Sequence, residues 1–110
     1  MDMTLREIYS AFGISRRTIQ GYEKAGLISV SGKNERGHLL YNENAQERIK
    51  KIRLFQQMGF TIKEIKDIID APKDVQKPAL EKQREKLKEE TKDTELIIYK
   101  MSELIETLQH

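Results

Sequence analysis

Apolar side chains recur every three or four residues in several short stretches of the first 70 residues, the spacing of helices with one buried face. The first stretch opens with Thr4-Leu5-Arg6-Glu7, a capping box that predicts a short helix ending at Gly13. Ser15 is a suitable N-cap for a second helix over 16–25, which Gly26 ends. Two short helices joined by about three residues predict a helix-turn-helix.

The next stretch has the pattern of a β-hairpin. Residues 27–30 and 38–41 are mainly apolar, and residues 31–37 between them are rich in turn formers. The sequence therefore predicts two short strands that form a wing directly after the second helix.

Two further helices complete this first region. Asn42 caps a predicted helix over about 43–58, and Thr61-Ile62-Lys63-Glu64 is a second capping box that opens a helix over 62–70. Pro72 closes the region. The positions predicted to face inward are Ile49, Ile52 and Phe55 in the third helix and Ile62, Ile65, Ile68 and Ile69 in the fourth.

A long helix is predicted for 78–108, after a linker over 73–77 and with Pro78 in its first turn. Its apolar stripe is too long for the small head to cover, so a partner helix is expected. Because the stripe is densest in the C-terminal half, we expect an antiparallel pair. The residues assigned to this dimer interface are Leu80, Leu87, Ile97, Ile98, Met101, Leu104, Ile105 and Leu108.

These elements predict a mainly α protein. A winged helix-turn-helix domain with a small β-hairpin wing occupies residues 1–72, the linker 73–77 follows, and a dimerisation helix over 78–110 forms an antiparallel coiled coil.

Composition and charge narrow the chemistry. The net charge of +2 is too small to indicate nucleic-acid binding by itself. Without cysteine, and with two isolated histidines, His38 and His110, the chain is expected to hold no disulfide, metal or cofactor. No apolar run is long enough to cross a bilayer and no secretory signal is visible, which predicts a cytoplasmic protein without a membrane partner. No catalytic cluster or phosphate loop indicates an enzyme.

Several local motifs resemble the MerR family of bacterial transcription regulators. Residues 13–19 are similar to the family's turn and the start of its recognition helix, and residues 22–28, Tyr-Glu-Lys-Ala-Gly-Leu-Ile, resemble its Tyr-Glu-x-x-Gly-Leu-Ile stretch. Gly37 and Tyr41 match the ends of the wing motif Gly-Tyr-Arg-x-Tyr. Residues 58–65 resemble Gly-Phe-x-Leu-x-Glu-Ile. The resemblance covers about residues 4–70.

Two places depart from the family pattern. Gln20 and Gly21 stand where the family usually has arginine and tyrosine, and His38-Leu39 replaces tyrosine and arginine in the wing. Two arginines that bind phosphate in the family are therefore missing, so its DNA contacts do not carry over whole.

The helix-turn-helix and the resemblance together predict a DNA-binding face. Arg16 and Arg17 open the second helix, where a recognition helix meets the major groove. Tyr22 is interpreted as a core residue because it lies one helical turn from Ile19, and the basic residues between 48 and 53 are interpreted as a solvated helix face. The residues assigned to DNA are Arg16, Arg17, Thr18, Gln20, Lys33, Arg36, His38 and Tyr41.

The resemblance implies a homodimeric, sequence-specific transcription regulator. It would bind a palindromic operator between the promoter hexamers, act through DNA distortion, and meet RNA polymerase at the promoter. Because the sequence ends at His110, we expect a short form without a separate effector domain, with the signal left open. Two alternatives remain: an architectural or phage-type DNA-binding protein, and a protein-interaction module that has lost DNA binding.

Overall fold

The computed structural model describes residues 1–108, so His110 and the end of the predicted dimerisation helix lie outside the described residues. The chain divides into two compact units, Met1–Asp70 and a second unit that begins at Ala71. We call the first unit the head. No helix among the described residues is both long and apolar enough to span a membrane.

The head contains four helices and a two-stranded hairpin, as the sequence predicts. The elements are α1 (Leu5–Phe12), α2 (Arg16–Lys24), β1 (Gly32–Lys33), β2 (Leu39–Leu40), α3 (Glu43–Gln57) and α4 (Ile62–Ile68). The strands pair antiparallel, with Gly32 opposite Leu40 and Lys33 opposite Leu39.

Both predicted capping boxes form. The Thr4 hydroxyl accepts from the Glu7 amide at 3.2 Å while the Glu7 carboxylate accepts from the Thr4 amide at 3.1 Å. Thr61 and Glu64 make the same pair of bonds at 3.2 and 3.0 Å. Four otherwise free amides at two helix starts are thereby satisfied, and this local chemistry is readable from sequence.

The core of the head follows the predicted periodicity. Ile8, Ile19, Ile49, Ile52 and Ile65 are fully buried, and Phe55 packs edge-on against Phe60 with ring centres 5.9 Å apart. Of the predicted inward positions of α4, Ile65, Ile68 and Ile69 are buried whereas Ile62 is half-buried.

The first strand of the wing was predicted in the wrong place. Residues 27–30 form no strand, and the hairpin begins with the Ser31 amide donating to the Leu40 carbonyl at 2.8 Å. Leu27 and Ile28 are both buried, although neighbouring residues of a half-buried strand point to opposite faces. Residues 27–30 are therefore an irregular segment that leads from α2 to the wing and places Leu27 and Ile28 in the core.

A third backbone segment joins the hairpin. Met3 and Tyr41 form an isolated antiparallel bridge, with reciprocal amide-to-carbonyl bonds of 2.9 and 2.8 Å. The buried Gln46 amide on α3 donates to the carbonyls of Met1 and Tyr41 at 2.7 and 2.8 Å. The base of the wing is thus tied to the N-terminal segment and to α3.

The second unit consists of one long helix, α5 (Lys73–Leu108). The predicted linker over 73–77 is wrong, because these residues are helical and Pro78 lies inside the helix rather than in its first turn. The Pro72 carbonyl accepts from the amides of Val75 and Gln76, which starts the helix early. Pro78 has no amide hydrogen, so the helix continues through it with one backbone bond fewer.

Candidate nucleic-acid interface

Helix α2 presents a cationic and polar face because its apolar residues anchor the opposite side. Ile19 and Tyr22 are buried, whereas Arg16, Arg17 and Gln20 are exposed. In a helix these two sets point in opposite directions. The predicted recognition helix therefore has its first-turn arginines free in solvent.

Thr18 belongs to the cap of this helix. The Ser15 hydroxyl accepts from the Thr18 amide at 3.2 Å, and the two hydroxyls lie 2.9 Å apart. The half-buried Thr18 side chain is thus already hydrogen-bonded within the N-cap of α2.

The tip of the wing is shaped by Asn34. Its side-chain oxygen accepts from the amides of Arg36 and His38 at 2.9 and 3.0 Å, which closes the turn around Gly37. Gly37 has a φ of 79°, the left-handed region that favours glycine. Lys33, Arg36 and His38 are all exposed on this turn, as expected for wing residues that reach toward a ligand.

A groove lies between the start of α1, helix α2 and the wing, with a volume of about 450 Å³. It brings together three of the predicted DNA-binding residues, Arg16, Gln20 and His38, whereas Arg17, Lys33 and Arg36 lie outside its lining. The lining residues are Thr4, Leu5, Arg6, Arg16, Gln20, Gly37, His38 and Leu39. We call this cleft the α1–wing groove.

Arg6 is the residue that sequence reasoning missed. It was interpreted as part of a capping box, and nothing in the linear pattern brings α1 next to the wing. The bridge between Met3 and Tyr41 fixes the segment that leads into α1 against the wing, which is a long-range contact.

Tyr41 does not lie on the predicted DNA face. Its side chain is fully buried, and its hydroxyl donates to the Glu23 carboxylate on α2. Burial, together with the adjacent Glu23 carboxylate, holds the pKa of Tyr41 well above its ordinary value. The assignment of Tyr41 to DNA contact is therefore corrected: this residue links the base of the wing to the recognition helix.

Tyr22 is a core residue, as predicted. It is 1% exposed, and its hydroxyl donates to the Gln56 side chain of α3 at 2.5 Å. Burial raises the pKa of Tyr22, and nearby Arg53 partly opposes that effect. The hydroxyl thus anchors α2 on α3.

The basic stretch of α3 is only partly a solvated face. The Arg48 guanidinium donates to the Leu27 carbonyl at 2.5 Å and to both Asp70 carboxylate oxygens at 2.7 and 2.8 Å. These bonds hold the pKa of the Asp70 carboxyl below its ordinary value. Lys50 lies 5.1 Å from the centre of the Phe12 ring and pairs with Glu47 at 2.7 Å. Arg48 therefore acts within the head, tying the end of α4 to the segment after α2.

Helix α5 has no buried residue over its described length. Seven of the eight predicted interface residues are exposed, from 40% at Leu87 to 77% at Leu108, and Leu80 is half-buried. The sequence prediction did not include Leu96 and Tyr99, which are also exposed, at 53% and 61%. They lie on another side of the helix from the stripe through Ile97, Met101 and Leu104.

The described part of the chain contains no candidate metal site. Among residues 1–108, no three His, Asp or Glu side chains are grouped so that they could hold a metal ion.

A helix-turn-helix followed by a β-wing, with an exposed cationic helix face, defines the winged-helix class. The model for the MerR HTH family regulatory proteins matches residues 3–72, and the model for the MerR DNA-binding region matches residues 46–110. The chain therefore belongs to the MerR family. The members of this family are transcription regulators and not enzymes.

Individual relatives agree with this assignment. The chain is 30% identical over 108 residues to the HTH-type transcriptional activator mta of Bacillus subtilis, covering 98% of this chain and 39% of that protein. It thus spans about two fifths of the length of that curated relative.

Two solved structures show the same fold. A MerR family transcriptional regulator from Bacillus cereus superimposes with a TM-score of 0.86 and 26% identity, covering 100% of this chain and 84% of that one. HiNmlR, a MerR family regulator that lacks the sensor domain and was crystallised on promoter DNA, has a TM-score of 0.71 and 21% identity, covering 89% of this chain and 79% of that one. The winged helix-turn-helix head and long helix predicted from sequence are confirmed.

Proposed function

We propose that this protein is a transcription regulator that binds a palindromic operator as a homodimer. The observation that carries the proposal is the exposed face of α2, where Arg16, Arg17 and Gln20 point away from a fully formed core. HiNmlR, which has the same fold, binds promoter DNA. In this proposal α2 enters the major groove, and the exposed wing cations Lys33 and Arg36 contact the phosphate backbone.

DNA binding is tested by selecting duplexes with the purified protein and titrating the selected sequence by fluorescence anisotropy. Arg16→Glu with Arg17→Glu is expected to weaken binding at least a hundredfold, because two cations near phosphates become two anions. The matched control is Lys82→Glu with Lys92→Glu, which makes the same charge change on exposed positions of α5 away from its apolar stripe. If both variants lost the same affinity, the change in net charge alone would explain the loss. If the wild type bound no duplex, the alternative of a protein-interaction module would be favoured.

The homodimer is proposed from the apolar face of α5. Ile97, Met101, Leu104 and Leu108 follow the i, i+4, i+7, i+11 spacing of a helix seam, and each is more than half exposed in the single chain. A second copy presents the same face and covers it. We expect the wild type to sediment as a dimer and Met101→Lys with Leu104→Lys as a monomer with an intact head.

The antiparallel arrangement is tested with single cysteines, because the native chain has none. Variants Leu87→Cys, Met101→Cys and Leu108→Cys are oxidised separately. A parallel pair places each cysteine beside its own copy, so all three would cross-link. An antiparallel pair brings only positions near its two-fold axis together, so at most one is expected to do so.

Transcriptional activity is proposed to arise from distortion of the promoter. A dimer that contacts both half-sites of one operator would favour DNA whose bending or twist suits both heads. The transcriptional effect is measured by in vitro transcription with RNA polymerase from a promoter that contains the selected operator. An increase or decrease in transcript that follows operator occupancy supports a regulator, whereas occupancy with no effect on transcript supports an architectural role.

A further inference from the structure

We propose that Arg6, on the first turn of α1, binds a DNA phosphate in the α1–wing groove. This inference rests on the proposed function. It adds a third element, α1, to the recognition helix and wing as a source of DNA contacts.

The first support is the chemistry of the groove lining. Two guanidinium groups, Arg6 and Arg16, share the groove with the His38 ring, the Gln20 amide and the Thr4 hydroxyl, and none of the eight lining residues is acidic. Guanidinium groups bind phosphate oxygens through paired N–H donors. A groove with two of them and no carboxylate is suited to an anion.

The second support is that Arg6 is available. It is exposed and forms no ion pair within residues 1–108. Arg48 shows the opposite case in the same head, since each of its three guanidinium nitrogens donates a hydrogen bond, one to Leu27 and two to Asp70. A phosphate at Arg6 would thus not have to displace a carboxylate.

The third support is where the departures from the family pattern lie. Gln20 and Leu39 occupy two positions at which the resemblance leads one to expect arginine, and both line this groove. Arg6 and Arg16 are the strong cations that remain there. We infer that Arg6 supplies charge to the same stretch of DNA backbone from a different side.

Lys63 provides a matched control for the position of Arg6 in its helix. Each cation is the second residue of a helix that begins with a Thr–Glu capping box, Arg6 after Thr4 and Lys63 after Thr61. A cation near a helix N-terminus is slightly unfavourable, so neutralising either residue is expected to leave the fold as stable or slightly more stable. Only Arg6 lines the groove.

The experiment compares Arg6→Gln with Lys63→Gln in the full chain, using the selected operator duplex and a random duplex over a series of salt concentrations. Loss of one phosphate contact per protomer is expected to reduce the slope of log K against log salt by about 0.9 per protomer, roughly 1.8 for a dimer. Affinity for both duplexes should fall on the order of tenfold per contact. Arg6→Lys should restore part of the slope, because it keeps the charge and loses the paired donors.

The outcomes separate the two proposals. If the wild type binds no duplex, the proposed function and this inference both fail. If the wild type binds and Arg6→Gln keeps the wild-type slope, or if Lys63→Gln loses as much as Arg6→Gln, the inference about Arg6 alone is overturned. Thermal melts that match the wild type show that neither variant acts through unfolding.

Discussion

The head and the long helix bury their apolar side chains in opposite ways. The head has all fifteen buried apolar residues of the described chain, whereas α5 has none. Each fully buried large apolar side chain contributes roughly 1.5–3 kcal/mol, so the head has a core that can hold it folded. The last third of the helix is also rich in apolar residues, and its own chain gives it no such contribution. The difference teaches that the head depends on contacts within its own chain, whereas the apolar face of α5 is covered only in the proposed dimer.

The largest expected effect is in the core of the head. Ile49→Ala removes part of a fully buried side chain and should lower the free energy of unfolding by about 2–5 kcal/mol, because a cavity remains between packed helices. Urea unfolding followed by circular dichroism measures the loss, and the loss should be the same at low and high protein concentration.

The counterpart on the helix is Leu104→Ala. Leu104 is 61% exposed in the single chain, so the head should keep its unfolding midpoint. The proposed dimer should dissociate at protein concentrations that keep the wild type dimeric. A shift of the head's midpoint that does not depend on concentration would contradict the division between internal and partner contacts.

A smaller effect is expected where the wing meets α2. Tyr41→Phe removes the hydroxyl that donates to Glu23 and should cost roughly 1–3 kcal/mol, since a partly buried carboxylate loses its donor. Tyr9→Phe is the control, because Tyr9 is 60% exposed and should change stability little. Chemical denaturation of both variants checks this, and equal effects would show that the Tyr41 hydroxyl contributes nothing particular.

The Arg48–Asp70 pair predicts a dependence of head stability on acid. Arg48 lowers the pKa of Asp70 below 3.8, so the pair stabilises the folded state fully above that pH and is lost as the pH falls through the folded value. Asp70 is 71% exposed, which limits the effect to at most about 1 kcal/mol.

Asp70→Asn should therefore destabilise the head at pH 7 and make little difference near pH 2. The control is Asp67→Asn, an exposed aspartate on α4. Urea midpoints measured across this pH range test the prediction, and a deficit of Asp70→Asn that persists at pH 2 would rule out the ion pair as its cause.

The smallest expected effect is an increase in the stability of the head rather than a decrease. Gly21 lies inside α2, and a Cβ added there would meet nothing within 4 Å, so Gly21→Ala should stabilise the head by about 0.4–1 kcal/mol. Gly26→Ala should instead destabilise it, because Gly26 has a φ of 78°. Thermal melts compare the two, and a stabilising Gly26→Ala would show that the turn relaxes. Neither change should affect dimerisation.

The features that the sequence predicted correctly are those set by local chemistry. The capping boxes at Thr4 and Thr61 and the buried face of Ile49 and Ile52 depend on residues three or four positions apart. Periodicity also identified Tyr22 as a core residue, which the structure confirms.

The errors arise where distant contacts decide. Leu27 and Ile28 look like a strand, but both fill the core beneath a wing that begins later in the chain. Tyr41 matches a family motif, but its burial and its contact with Glu23, 18 residues away, show that it is internal. Pro78 predicts a helix start, but the helix already begins at Lys73. The other assigned DNA contacts and the dimer residues stay predictions.

The bond between Tyr41 and Glu23 also bears on mechanics. It joins Tyr41, directly after β2, to Glu23 on α2, so a hydrogen bond holds together the two parts of the head that face the proposed operator. A head whose wing and α2 are held together has little freedom to shift one against the other to fit a mismatched DNA groove. In the proposed complex it is therefore the DNA that deforms. The affinity for different operators would depend partly on how easily their base steps bend or untwist.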